Sequence, residues 1–299
     1  MTLQRNNTID IIKGFLIVCV ILGHVLLGSI DSNIFRYIIY SFHMPLFMFM
    51  SGYMINISKI SQMSFLDIFS KYWNRMLKMW LVAFIIFSAY QVFREPTVKQ
   101  ICILVYSPWY HLWYIPTLFS FIVISRFLFA NINEYWSYLI LFMIPIIWFA
   151  LSEILPIKLP RWFDFKYLPY FLLGLFFSNH YKNSEKSKRC RIIPILYIII
   201  ILALKYFNVQ IDGLLQMILL VPVITLYLYP TIKQDTLRKS RFLSYIGQNS
   251  LNIYLWHMIP IILLKDFISN MTLYYGLSML LICSFIVFAM VKSGVCSRK

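Results

Sequence analysis

Ten runs of about 20 mostly apolar residues follow one another along this chain, each near the length an α-helix needs to cross bilayer hydrocarbon. They lie roughly at 8–30, 34–57, 77–93, 111–130, 135–155, 166–180, 192–208, 212–230, 244–266 and 271–292. The third is short, and the sixth (YLPYFLLGLFF) is short and carries a proline. Composition agrees: 61% of the 299 residues are hydrophobic and 13% charged, against roughly 45–50% apolar and 25% charged in soluble domains. The expected fold is all-α, a polytopic transmembrane helical bundle of about ten spans. One domain over 1–299 is expected, with no appended soluble domain.

The net charge of +16 would suggest nucleic acid in a soluble protein. In a membrane chain, basic residues in short loops fix orientation instead. With the N-terminus in the cytoplasm, the three most basic connections all fall inside. They hold Lys59, Lys71, Arg75 and Lys78; then Lys182, Lys186, Lys188, Arg189 and Arg191; then Lys233, Arg238, Lys239 and Arg241. An even number of spans returns the C-terminus to the same side, so both termini are expected in the cytoplasm. The partners expected are membrane lipids and no nucleic acid. Cys19, Cys102, Cys190, Cys283 and Cys296 form no CxxC pair and read as buried small residues, neither a disulfide framework nor a metal site. The first run is too long, and its His24 too polar, for a cleavable signal peptide.

Ionisable groups are rare at membrane depth and functional by default. The stretch IDIIKGFLIVCVILGH carries Asp10, Lys13 and His24. Lys13 and His24 are about three helical turns apart, on one face and about 16 Å apart along the axis. Snorkelling of Lys13 and a hydrogen bond from His24 would explain either residue alone; their alignment favours a shared site. The second run places His43 at a depth similar to His24 on an antiparallel neighbour, so the two could face each other. Pro45 frees a carbonyl one turn earlier, and Ser51 and Gly52 permit close helix packing. His111 and Trp113 stand among aromatics at the outer end of the fourth run. The ninth run buries His257 beyond Gln248, Asn249, Ser250 and Asn252.

Together these stretches resemble the acyltransferase-3 family of integral membrane O-acyltransferases. Asp10, Lys13 and His24 match its opening acidic–basic–histidine pattern, and FHMPLFMFMSGY at 42–53 is similar to its Phe-His-X-Pro-Leu-Phe stretch. YWNRMLKMW at 72–80, HLWYIP at 111–116 and IGQNSLNIYLWH at 246–257 resemble three further motifs in the family's order. Lys13 departs from the commoner Arg, and Met48 from a second Phe. The resemblance implies transfer of an acyl group, usually acetyl, from acetyl-CoA to a hydroxyl of a cell-envelope carbohydrate or lipid-linked glycan, in the bacterial cytoplasmic membrane.

Such transfer needs a base for the hydroxyl proton and stabilisation of the oxyanion. His24 is the expected base or acyl carrier, and His43 positions the acceptor or relays the proton. Lys13, Arg75 and Lys78 are assigned to the donor's phosphates, although plain positive-inside charge explains the last two equally well. His111, Trp113 and His257 are assigned to the acceptor, with Asp10, Pro45, Ser51 and Gly52 in support. No metal is expected. Succinyl-CoA is an alternative donor. A secondary transporter or flippase would also carry intramembrane Lys and His, but no inverted repeat is visible.

Overall fold

The computed structural model describes residues 7–97, 102, 104, 106, 110–154, 162–180, 190–211, 213–234, 237 and 240–292. The two termini, expected on the cytoplasmic side, lie outside these residues. Helices α1 (Asn7–Val25) and α2 (Ile34–Tyr53) come first, then the short α3 (Ile57–Ser61) and α4 (Phe65–Tyr72). A π-turn, Trp73–Leu77, carries α4 into α5 (Lys78–Arg94). A 3-10 turn, Tyr110–Trp113, opens α6 (Tyr114–Asn131), which is followed by α7 (Glu134–Ile154). A second 3-10 turn, Phe165–Tyr167, leads into α8 (Leu168–His180). Next come α9 (Ile193–Tyr206), α10 (Gly213–Val223), the π-turn Ile224–Leu228 and α11 (Tyr229–Lys233). The chain ends with α12 (Arg241–Gln248), α13 (Ser250–Trp256), α14 (Met258–Phe267) and α15 (Met271–Lys292). Among the described residues there is no strand.

Each apolar run of the sequence falls on helix. Among the described residues five segments, Asn7–Val25, Phe65–Arg94, His111–Asn131, Gly213–Lys233 and Met271–Lys292, are long and apolar enough to cross a membrane. The third run is a 30-residue segment that starts well before the expected residue 77. Its polar first half hides it from a hydropathy reading, yet Ser64 starts it with a capping box to Asp67. The ninth run is broken into α12, α13 and α14. Asn249 ends α12 and bonds back through its Nδ2 to the Tyr245 carbonyl at 2.9 Å.

Backbone contacts divide the chain into two compact units, Met1–Phe47 with Asn183–Lys299, and Met48–Lys182. The first is organised around α1, where Leu16, Ile17 and Val20 are buried. α1 crosses α12 backbone to backbone at two glycines. A Cβ added at Gly14 would overlap the Leu243 carbonyl, and one at Gly247 would overlap the Asp10 carbonyl. Without a hydrophobic drive between helices in lipid, such close approach is what holds them together. His24 lies ten residues beyond Gly14 and His257 ten residues beyond Gly247, a span of about 15 Å in continuous helix. The first and ninth runs therefore run parallel along this contact.

Pro45 sits inside α2 and cannot donate to the Ser41 carbonyl one turn back. Gln216, buried on α10, replaces it: its Nε2 donates to Ser41 O at 2.9 Å and to Tyr40 O at 3.3 Å. Tyr197 of α9 donates to the Ser41 hydroxyl at 2.8 Å. The freed carbonyl expected from the sequence thus fastens α10 to α2, and the hydroxyl of the same Ser41 fastens α9.

The second unit repeats the glycine device. A Cβ at Gly52 would overlap the Phe171 carbonyl, and one at Gly174 the Phe49 carbonyl, so the end of α2 lies tight on α8. Beside it Ser51 is more than a small residue: its hydroxyl pairs with that of Tyr114 at 2.8 Å, both buried. Trp80 donates from Nε1 to the Leu112 carbonyl at 2.9 Å, and Arg126 from Nε to the Met63 carbonyl at 2.9 Å.

Gly247→Val is expected to lower the thermal midpoint in detergent, through the roughly 1–3 kcal/mol usual for overpacking. Gly276→Ala in α15, where a Cβ meets nothing within 4 Å, should leave the midpoint unchanged or slightly raised. Tyr114→Phe strands the buried Ser51 hydroxyl and should cost about 1–3 kcal/mol. Adding Ser51→Ala should recover part of that loss; strict additivity of the two changes would show that the pair is not coupled.

Candidate active site

The functional side chains of the first unit are set by the crossing of α1. Near its start Asp10 is buried at 4% exposure and accepts from Gln248 Nε2 at 3.4 Å. Lys13 is half-buried a turn later. At the far end the half-buried His24 ring stands against His257, centroids 5.3 Å apart. The ring of Tyr40 on α2 meets His24 at 6.5 Å and His43 at 5.0 Å, edge-on to both. Three histidines from three parts of the sequence, with one tyrosine, thus share a neighbourhood at the C-terminal end of α1.

Hydrogen bonding fixes two of the rings. His43 Nδ1 lies 2.7 Å from the Ile39 carbonyl, and His257 Nδ1 lies 2.8 Å from the Tyr254 carbonyl and 3.1 Å from that of Ile253. A carbonyl only accepts, so Nδ1 carries the proton in both rings and Nε2 of each neutral ring keeps its lone pair. Both histidines are buried, at 4% and 8% exposure. Lys265 of α14 reaches the same place and donates from Nζ to the His24 carbonyl at 3.1 Å.

The sequence allows His43 to face His24 and assigns His257 to the acceptor. The structure links His43 to His24 through Tyr40 and places His257 against His24. Tyr40 and Lys265 escaped that reading. Tyr40 was within reach, since it lies three residues before His43 and therefore on the same helix face. Lys265, a cation in an apolar run, carried the same signal as Lys13.

The remaining residues belong to the second unit. Arg75 lies in the π-turn Trp73–Leu77, a local geometry frequent at functional sites, and is exposed, as is Lys78. Lys59 and Arg75 both act electrostatically on Lys71, so this unit gathers positive charge suited to an anion. His111 is buried edge-on against Phe87 at 5.3 Å. Trp113 stacks on Tyr167 at 5.0 Å, and Lys166 covers the Tyr167 ring at 5.0 Å while pairing with Asp164 at 3.3 Å. Aromatic faces beside a cation suit sugar stacking, but the same residues also make an ordinary interfacial belt. Among the described residues, no three His, Cys, Asp or Glu side chains come together as the ligands of one ion would.

Over 58 residues, 17% of this chain, the sequence is 45% identical to nodulation protein NolL of Sinorhizobium fredii (strain NBRC 101917 / NGR234), a member of the acyltransferase-3 family; the match spans 16% of that protein's length. No solved structure matches the chain. The model of the acyltransferase-3 family, described as an acyltransferase domain, matches residues 6–297. With nearly its whole length matched and polar groups brought together on apolar helices, the chain belongs to the acyltransferase-3 family.

Proposed function

We propose that this protein is a membrane O-acyltransferase that moves an acetyl group from acetyl-CoA to a hydroxyl of a cell-envelope carbohydrate or its lipid-linked precursor. The observation that carries this reading is the packing of His24 against His257, with Tyr40 touching both His24 and His43. In the proposed step the acceptor oxygen attacks the thioester carbonyl carbon while His24 takes the hydroxyl proton. The tetrahedral oxyanion collapses, the carbon–sulfur bond breaks, and the proton passes from His24 to the departing thiolate. His257, with its Nδ1–H committed to carbonyls, has Nε2 as its acceptor and is proposed to orient His24 through it. This is the logic of a base held by a third group.

Lys13 supplies positive charge for the donor's phosphates, as do Arg75 and Lys78 in their own unit. His111 and Trp113 belong to the acceptor. In this reading the bundle has about ten spans, both ends are cytoplasmic, and the protein sits in the bacterial cytoplasmic membrane. The positive-inside distribution supports that orientation.

The test compares envelope glycans from a deletion strain with those from strains restored with wild type or with His24→Ala, by mass spectrometry. Wild type should restore a mass increment of one acetyl group. His24→Ala, inserted normally, should lower acylation by about 100-fold or more, the contribution typical of a general base. His257→Gln should lower it less. Identical glycan masses in the deletion and restored strains would overturn the reading.

A further inference from the structure

We infer that a groove beside His257 holds the single hydrocarbon tail of a phosphate-linked glycan acceptor, an assignment that rests on the acyltransferase reading. The groove has a volume of about 350 Å³, within the range of ligand pockets. It is a wedge between α1 and α15, floored by α13 and α14. Ile21, Val25, Trp256, Ile261, Leu281 and Phe285 form its walls, and the polar side chains among its lining residues are His257 and Ser278. Beside the lining residue Val25, two tyrosines of α15 bond the chain at the end of α1: Tyr274 donates to the Val25 carbonyl at 2.9 Å, and Leu27 N–H donates to the Tyr275 hydroxyl at 3.0 Å. Leu281, 46% exposed, opens the groove sideways to the surrounding lipid.

Cations gather at that end of α1. Leu264 lines the groove, and Lys265 beside it donates to the His24 carbonyl. Arg36 donates to the Tyr40 hydroxyl at 3.5 Å and to the Gly28 carbonyl, and its field reaches Lys265. The described hydrogen bonds of both cations go to neutral oxygens, so their charge is not cancelled there. An apolar slot with two cations beside it, Lys265 on the His24 carbonyl and Arg36 on Tyr40, whose ring meets that of His24, complements an anionic headgroup on one tail. In a glycosyl lipid phosphate the phosphate sits directly on the sugar, which brings tail, phosphate and hydroxyl together at His24. The phosphates of coenzyme A are a whole pantetheine arm from the thioester, and an acetyl group has no tail to fill the groove.

The test uses the full chain in phosphatidylcholine nanodiscs with a diazirine-bearing farnesyl phosphate, the same probe as the free alcohol, and a diazirine phosphatidylglycerol. Labelled peptides are mapped by mass spectrometry. The farnesyl phosphate should label the lining of α1 and α13–α15 about tenfold more than the alcohol, the order set by one charge-assisted contact. Leu281→Trp should abolish that labelling, Arg36→Gln with Lys265→Gln should reduce it to the alcohol's level, and Gly276→Ala should leave it intact. Equal labelling by the alcohol or the phosphatidylglycerol, or labels spread over all lipid-facing helices, would overturn the proposal. So would normal glycan acylation by Leu281→Trp once its labelling is lost. The labelling needs no acyl transfer, so an inactive wild type would remove the enzyme reading and leave the groove to be judged by the probes.

Discussion

The contact on which the candidate site depends is the crossing of α1 on α12 at Gly14 and Gly247. In a bilayer the lipid tails are as apolar as leucine, so helices associate by close packing and by polar contacts. Two absent side chains allow backbone to meet backbone. The shared register then carries ten residues along both segments to set His24 beside His257. The polar contact of Asp10 with Gln248 at the same crossing fixes rotation as well as distance. The histidine pair is therefore a result of packing some three turns away, not of any attraction between the rings.

The buried polar contacts around Pro45, the two histidine rings and Ser51 follow one pattern: each ties one element to another or fixes a ring. Leaving them unmet would cost more than any single bond returns. Pro45 removes a donor, and Gln216 supplies two in its place. His43 and His257 each bond a carbonyl one turn back on their own helix, which holds the ring still and settles its tautomer. Ser51 and Tyr114 do the same for α2 and α6. Catalysis by a base needs a ring held in one orientation, and apolar surroundings enforce that by making every other orientation costly.

Much of this was legible in the sequence. Apolar length marked the helices, and the spacing of Asp10, Lys13 and His24 placed them along one helix. Pro45 announced a freed carbonyl. The order of the short motifs identified the family. What could not be read was which helix lies beside which. The partner of His24 was sought on α2, the next element in sequence, and was found on the ninth run, because adjacency in a bundle is decided by glycine positions far apart along the chain. The third run began early because α4 is amphipathic and short. The breaks around Asn249 and His257, and the π-turns at Trp73–Leu77 and Ile224–Leu228, arise from local backbone competition that periodicity averages away.

The distance along the chain between the two halves of the site has a consequence for its birth. Tyr274 bonds the Val25 carbonyl across 249 residues. A ribosome adding 5–20 residues each second takes about 10–50 s over that interval. Through that interval α1 sits in the bilayer with Asp10, Lys13 and His24 and without the segment that covers them. During synthesis the first helix must be tolerated by the insertion machinery on its hydrophobicity alone. Its polar face becomes an advantage only when the last fifth of the protein arrives, so a nascent chain released early would display an exposed, ionisable helix that quality-control proteases could recognise.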